Sequence, residues 1–126
     1  MSDYTKVSLR EVEDSAPAAG LQGIEARFPK QRLGCTVGAV SLQHLAPEAR
    51  SPFGHRHARQ EELYVILSGT GRMRLGDDVI EVAPWDAIRV APETMRAFEA
   101  GPEGLELLAY GAPIGEENDA EIVPGW

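Results

Sequence analysis

Apolar and polar side chains alternate along much of this chain, which is the periodicity of β-strands. Near the N-terminus, Ile24, Ala26 and Phe28 fall at every second position. Further along, residues 72–75 and 79–82 alternate on either side of a Gly-Asp-Asp sequence. A glycine-aspartate loop between two alternating runs is typical of a β-hairpin. Both patterns predict antiparallel strands.

The same pattern, applied to the whole chain, predicts nine short strands and no helix. These strands lie within residues 7–10, 23–29, 35–45, 63–67, 72–75, 79–82, 84–92, 96–100 and 105–110. Gly, Pro and Asp separate them, and Gly69 and Gly71 bracket one predicted turn. So many short strands indicate an all-β sandwich or barrel. The acidic tail ends in Val123 and Trp126, which we expect to pack on the body or on a partner subunit.

Three residues near the middle of the chain have the chemistry of metal ligands. His55 and His57 are two positions apart, so on a strand both imidazoles project from the same face. Glu62, five residues later, could add a carboxylate from the next strand. Two imidazoles and one carboxylate suit Mn, Fe, Co, Ni or Zn, and three ligands leave positions open for substrate. The simpler interpretation is a surface loop with two histidines and a solvated acidic residue.

The surrounding run, PFGHRHARQEELYVILSG, makes the pattern more specific. It resembles the first conserved motif of the cupin family, in which HxH is followed by a glutamate and then a glycine. His55, His57, Glu62 and Gly69 fall on that pattern. The resemblance implies a double-stranded β-helix, or jelly-roll barrel, and a metal site made by the first three of these residues.

The resemblance also implies a domain organisation. Residues 1–126 would form a single cupin domain, as the length predicts as well. The barrel would cover about residues 24–110, with an N-terminal strand and loop over 1–23 and a C-terminal tail over 111–126. Family members commonly form dimers, so a homodimer is what the resemblance implies.

The second cupin motif departs from the family pattern. In the matching window, WDAIRVAPETMRAFEA, Trp85 stands at a glycine position and Arg96 stands where the family has its fourth metal ligand, a histidine. A guanidinium only donates hydrogen bonds and keeps its proton, so it cannot ligate a metal. If the guanidinium lay about 5 Å from a divalent ion, the repulsion between the two charges would be up to about 7 kcal/mol at an effective dielectric near 20.

Two hypotheses for the site follow from Arg96. In the first, His55, His57 and Glu62 hold a divalent metal, water completes its coordination, and Arg96 turns toward an anionic substrate. In the second, no metal binds and Arg96 pairs with Glu62 through a charge-assisted hydrogen bond. The histidines would then line a polar pocket for a small organic anion.

Two further residues are candidates for the ligand pocket. Counting back by two from Leu45 puts Gln43 on the inward side of its strand, and Tyr64 shares strand parity with Glu62. The simpler roles are a hydrogen bond to a neighbouring strand for Gln43 and core packing for Tyr64. His44 has the opposite parity, which predicts a position on the outer face.

The composition of the chain indicates which classes of partner and which location to expect. The net charge of −8 and the pI of about 4.8 argue against nucleic acid and anionic membranes. No run of eighteen apolar residues and no signal-peptide pattern is present, which predicts a cytoplasmic protein. Cys35 is the only cysteine, so an intramolecular disulfide is excluded, and we predict a half-buried thiol on a strand.

Function does not follow from this fold alone, because jelly rolls support many chemistries. The sequence favours a cupin that binds a small molecule. One alternative is a metal-dependent oxygenase or isomerase that acts on a small organic or sugar-like molecule. The other is a non-catalytic, metal-free module that binds or senses a small ligand.

Overall fold

A computed structural model describes residues 3–111, 119–124 and 126 of the chain. These residues contain eight β-strands: β1 (Ile24–Arg27), β2 (Ala39–Leu45), β3 (Phe53–His57), β4 (Glu62–Leu75), β5 (Asp78–Val82), β6 (Ala87–Val90), β7 (Arg96–Gly111) and β8 (Ala120–Pro124). They also contain one turn of α-helix, α1 (Lys30–Leu33), and two 3-10 turns, Leu9–Glu11 and Pro17–Ala19. None of these helices has the length and apolar character needed to cross a membrane.

The strands form one curled antiparallel sheet. Its order is β1, β2, β7, β3 and β8, while β4 pairs with β5, β6 and β7. The long strands β4 and β7 pair over most of their length, and shifts of register between Ile66 and Ser68 and between Gly69 and Gly71 interrupt the pairing. Such bulges bend a strand and increase its twist, which lets one sheet curl into a container. The predicted all-β jelly-roll fold is confirmed.

The core of the barrel follows the period of two along β4 and β7. In β7, Leu105, Leu107 and Ala109 are buried, whereas Glu106 and Tyr110 point to the outside. The core cluster consists of Leu45, Tyr64, Ile66, Met73, Val82, Val90, Phe98, Ala100, Leu105, Leu107 and Ala109. Burying one large apolar side chain contributes about 1.5–3 kcal/mol, so this cluster is the main stabilising feature of the barrel.

Gly69 lies inside a continuous strand, so the predicted turn between Gly69 and Gly71 is wrong. The backbone of Gly69 has a φ of 76°, and a Cβ there would collide with the carbonyl oxygen of Gly104. Two strand backbones approach closely at this bulge, which only glycine permits. Trp85, which the resemblance places at the first glycine of the second motif, has a φ of 74°. The backbone thus keeps a glycine-like conformation at Trp85, which supports the alignment of the second motif.

The N-terminal predictions need two corrections. The predicted strand at 7–10 is wrong, because Leu9–Glu11 forms a 3-10 turn. The predicted absence of helix is also wrong, since α1 forms a single turn that ends at Gly34, whose φ is 74°. A helix of one turn is too short to show a 3.6-residue period, so the apolar pattern could not indicate it. Cys35 is half-buried, but it precedes β2 and is not on a strand.

Part of the predicted C-terminal tail forms a strand. Its residues 120–124 form β8, which pairs with β3 along the whole length of both strands. The indole nitrogen of Trp126 donates a hydrogen bond of 2.9 Å to the carbonyl oxygen of Phe98, so this residue packs on the body as predicted. The rest of the predicted tail, residues 112–118 and 125, lies outside the described residues.

Candidate metal centre

The predicted site residues meet where three strands begin or end. His55 and His57 lie on β3, and Glu62 and Arg96 are the first residues of β4 and β7. His55 stands directly opposite Arg96 in the pairing of β3 with β7. The Nε2 atoms of His55 and His57 lie 3.2 Å and 3.3 Å from Oε1 of Glu62. The structure therefore brings together the residues that the two sequence hypotheses concern.

Two of the spacings among the three predicted ligands match those around one metal ion. His55, His57 and Glu62 offer ligand atoms that all lie within 4.8 Å of one another. Two ligand atoms that are each about 2.1 Å from one ion lie about 3.0–3.4 Å apart at octahedral or tetrahedral angles. The two nitrogen–oxygen distances above fall in that interval. This donor set could hold a first-row divalent ion.

The ring of His57 is oriented by a carboxylate that the sequence did not indicate. His57 is 6% exposed, and its Nδ1 lies 2.8 Å from Oδ1 of Asp119. An ionised carboxylate only accepts hydrogen bonds, so Nδ1 carries a proton, and the neutral form of this ring presents its lone pair at Nε2. Among the described residues this buried Nε2 has no hydrogen-bond partner. A carboxylate–histidine pair with the second nitrogen left unpaired is the arrangement found at metal-binding histidines.

Arg96 is buried and fully engaged with the protein. Its side chain is 1% exposed, and Nη1 donates a 2.7 Å hydrogen bond to Oε1 of Glu62. The Nη2 atom donates to the carbonyl oxygens of Ala91, Pro92 and Thr94, and Nε donates to that of Thr94. The pair between Arg96 and Glu62 in the second hypothesis is thus present. Each nitrogen of the guanidinium has a partner within the protein, and the contact of Arg96 with an anionic substrate in the first hypothesis stays a prediction.

Glu62 is held in its ionised form. Its Oε1 also accepts a 2.6 Å hydrogen bond from the Tyr64 hydroxyl. Burial would raise the pKa of Glu62, but the hydrogen bonds from His55 and Tyr64 and the attraction of the two histidines lower it to about 2. Burial, followed by the nearby charge of Glu62, raises the pKa of Tyr64, so its phenol stays protonated and acts as a donor.

This electrostatic environment predicts how stability depends on pH. The pKa of Glu62 falls from 4.5 to about 2 on folding, so its contribution is present above about pH 4.5 and is lost as the pH falls toward about 2. We expect the Glu62 carboxylate to account for about 3 kcal/mol of the free energy of unfolding that the metal-free protein loses over this pH range. In Glu62→Gln, the plot of unfolding free energy against pH should be flatter by up to about 1.4 kcal/mol per pH unit. Urea denaturation at several pH values in the presence of a chelator measures both slopes, and equal slopes would contradict the prediction.

A cavity of about 200 Å³ opens beside the site. His55, Arg96, Tyr64 and Gln43 line it, and the amide nitrogen of Gln43 donates a 3.1 Å hydrogen bond to Oγ of Ser41. The other lining residues are mostly apolar: Leu21, Ile24, Ala26, Phe28, Ser51, Pro52, Phe53, Ala97 and Phe98. Gln43 and Tyr64 thus lie at a cavity, and their contact with a ligand stays a prediction.

A second cavity, of about 300 Å³, lies against Glu62. Gln60 and Lys30 are among its lining residues, and the side-chain amide of Gln60 donates a 3.2 Å hydrogen bond to Oε2 of Glu62. Lys30 brings a positive charge to this cavity. The sequence did not indicate this role, because Lys30 lies on the unpredicted helix α1.

The sequence also gave no sign of the role of Asp119, since no motif links this residue to a histidine 62 positions away. His44 lies outside the site, 3.5 Å from Glu106 on the outer face, as predicted.

Comparisons with known proteins agree with this fold. The family model described as "Cupin domain" matches residues 41–109. A cupin protein from Bacteroides fragilis has a solved structure with 28% identity and a TM-score of 0.75, and the alignment covers 94% of this chain and 91% of that one. The Streptomyces protein Pac13, described as a nucleoside dehydratase and solved with uridine, is 21% identical, with a TM-score of 0.76 over 98% of this chain and 93% of its own.

A further relative has no assigned role. An uncharacterised protein from Methanocaldococcus jannaschii is 32% identical over 80 residues, which cover 63% of this chain. The match spans 64% of the length of that relative. The similarity to Pac13 is low enough to show the fold alone.

Proposed function

Because the chain belongs to the cupin family, we propose that it binds a divalent transition-metal ion through His55, His57 and Glu62 and takes a small organic ligand beside it. The observation that carries this proposal is the buried, unpaired Nε2 of His57. A buried nitrogen without a partner costs about 1–3 kcal/mol. Ligation of an ion by this lone pair would remove that cost.

The charges around the site support a ligand with anionic oxygen. Glu62 and Asp119 contribute two negative charges and Arg96 one positive charge, so these groups sum to −1. A divalent ion would change the sum to +1. It would act as a Lewis acid with open coordination positions. Meanwhile Arg96 and Tyr64 would hold the Glu62 carboxylate in one orientation, which preorganises the site.

The shape of the site supports a small and partly apolar ligand. The cavity beside His55 is smaller than the roughly 300–1,000 Å³ of sites for drug-sized ligands.

A positive site suits a substrate on which negative charge develops on oxygen, as in the isomerisation of a hydroxy-carbonyl compound. Oxygenation of a small phenol is the other metal-dependent reaction that we retain. Incorporation of deuterium from D₂O into the substrate would indicate isomerisation through proton transfer, and consumption of dioxygen would indicate oxygenation.

One observation favours the metal-free alternative. Arg96 donates a 2.7 Å hydrogen bond to the same Oε1 that faces both histidines, so a buried cation already stands beside this carboxylate. In that case the protein would bind a small ligand without metal chemistry. The alternative requires a second proton on His57, because otherwise its lone pair would face the oxygen of Glu62 at 3.3 Å.

Metal content distinguishes the two functions. We expect about one ion per chain after purification without a nickel column, or after reconstitution with Mn, Fe, Co, Ni or Zn and removal of excess metal. Mass spectrometry of the metal content measures the stoichiometry. An excess of ion should also raise the melting temperature, by mass action. A stoichiometry near zero after reconstitution, together with no change in melting temperature, would support the metal-free module instead.

A homodimer is also part of the proposal. Leu63 and Tyr110 are cross-strand neighbours on β4 and β7, and both are exposed on the outer face of the sheet. Val40 pairs with Tyr110 from the other side. An outward apolar cluster of this kind supports association of two copies. A measurement of molecular mass in solution tests the homodimer.

The cytoplasmic location and the single-domain organisation stay predictions.

A further inference from the structure

Asp119 lies outside the part of the chain that the family model matches, yet it contacts the centre of the site. Its Oδ1 accepts the hydrogen bond from Nδ1 of His57. Its Oδ2 accepts hydrogen bonds from the backbone N–H groups of Arg59 and Gln60, and its carbonyl oxygen accepts one from that of Ala58. Asp119 therefore forms hydrogen bonds with His57, a predicted metal ligand, and with each of the three residues that follow His57 in the chain.

These contacts extend to the carboxylate ligand. Residues 58–61 connect β3, which carries His57, to β4, which begins at Glu62. Gln60 occupies this loop and donates its side-chain amide to Oε2 of Glu62. Asp119 thus restrains the ring of His57 directly and the Glu62 carboxylate through the loop. A shift of the loop would change the separation of the two ligands.

The C-terminal segment is attached to the barrel independently of Asp119. β8 pairs with β3 from Phe53 to His57, and Glu121 forms two hydrogen bonds with Arg56. At the other end, Trp126 lies with its ring about 5 Å from the guanidinium carbons of Arg50 and Arg72. Removal of the Asp119 carboxylate should therefore leave the strand in place.

We infer that Asp119 is a positioning residue that sets the metal affinity of the site from outside the motif that supplies the ligands. It holds a proton on Nδ1 of His57 and orients the ring so that Nε2 lies 3.3 Å from Oε1 of Glu62. It also fixes the loop that spaces His57 from Glu62. This inference rests on the proposed metal site for its effect on affinity. The effect on the His57 ring does not depend on the metal.

The first test measures metal affinity by competition with a chromophoric chelator, with Co²⁺ and Zn²⁺ as probes. We expect Asp119→Ala to bind each ion about 10–100-fold more weakly than the wild type. The matched control is Glu121→Gln, which alters an ion pair two residues away on β8 without a hydrogen bond to His57 and should stay within about twofold. If Asp119→Ala fails to fold, Asp119→Asn replaces it, since the amide oxygen still accepts from Nδ1 but the amide nitrogen cannot accept from the loop. Affinity equal to that of the wild type in the folded variant would overturn the inference.

The second test separates this inference from the proposed function. In metal-free protein, nitrogen NMR of the imidazoles should show Nδ1 of His57 protonated in the wild type and in Glu121→Gln, whether or not Nε2 also carries a proton. In Asp119→Ala we expect the form without a proton on Nδ1 to become populated. If the wild type binds neither ion but this change occurs, the metal function fails and the positioning role stands. An unchanged His57 spectrum in the variant would overturn the positioning role whatever the metal result.

Discussion

Replacing Arg96 with methionine is expected to lower the free energy of unfolding by about 3–5 kcal/mol, the largest stability effect that we predict. The guanidinium is 1% exposed, and it pairs with Glu62 and with three backbone carbonyl groups. Methionine fills much of the volume but donates no hydrogen bond. The carboxylate of Glu62 would lose its permanent cation, and the carbonyl groups would lose their donor. Urea denaturation at neutral pH in metal-free protein measures the change.

A surface arginine provides the control for this substitution. Arg89 lies 3.3 Å from Glu61, and both side chains are more than half exposed. Removal of an exposed pair of this kind changes stability by at most about 1 kcal/mol, so Arg89→Met should differ little from the wild type. Arg96→Lys should recover only part of the loss, because an ammonium group cannot reproduce the planar set of donors. A loss in Arg96→Met no larger than that in Arg89→Met would show that the buried pair does not stabilise the fold.

Replacing His57 with alanine is expected to abolish stoichiometric metal binding. The substitution removes the buried nitrogen that has no other partner among the described residues, and it leaves only two of the three proposed ligands. The affinity should fall by more than the roughly 10–100-fold that loss of an outer partner costs. Metal analysis after reconstitution and gel filtration gives the stoichiometry, and chelator competition gives the affinity.

The control for His57 is another histidine of the same chain. His44 lies on the outer face near Glu106 and is not part of the cluster. His44→Ala should therefore retain wild-type metal binding. Equal losses in the two variants would point to adventitious binding by surface histidines. Full retention in His57→Ala would remove the proposed centre, because no other histidine in the described part of the chain pairs with this carboxylate in such a buried position.

Much of the barrel was predictable because strand periodicity is local. The alternation in residues 72–75 and 79–82 depends only on neighbours in sequence, and the hairpin of β4 and β5 follows it in register. Single turns and edge strands leave no such signal. The helix α1 is too short to show a period, and β8 is exposed at most of its positions, so burial imposes no alternation on it. Gly69 predicts a turn as readily as a bulge, because both structures favour glycine.

The ligand set and the anomaly at Arg96 followed from the resemblance to the two cupin motifs together with residue chemistry. Strand geometry places the side chains of His55 and His57 on the same face, and the resemblance adds Glu62 to them. That Arg96 cannot ligate a metal is a property of guanidinium in any fold. These conclusions required the order of residues and the family pattern to which they were compared.

The partners of these groups were decided by the tertiary structure. A long arginine side chain can reach either a substrate or a carboxylate, and only the folded chain surrounds Arg96 with carbonyl groups that direct it to Glu62. Asp119 reaches His57 across 62 residues, because β8 returns to pair with β3. Contacts between distant parts of a chain depend on which strands pair, and strand pairing is a property of the whole sheet. The local sequence therefore determines which chemistry the site can hold, and the closed barrel determines which groups orient it.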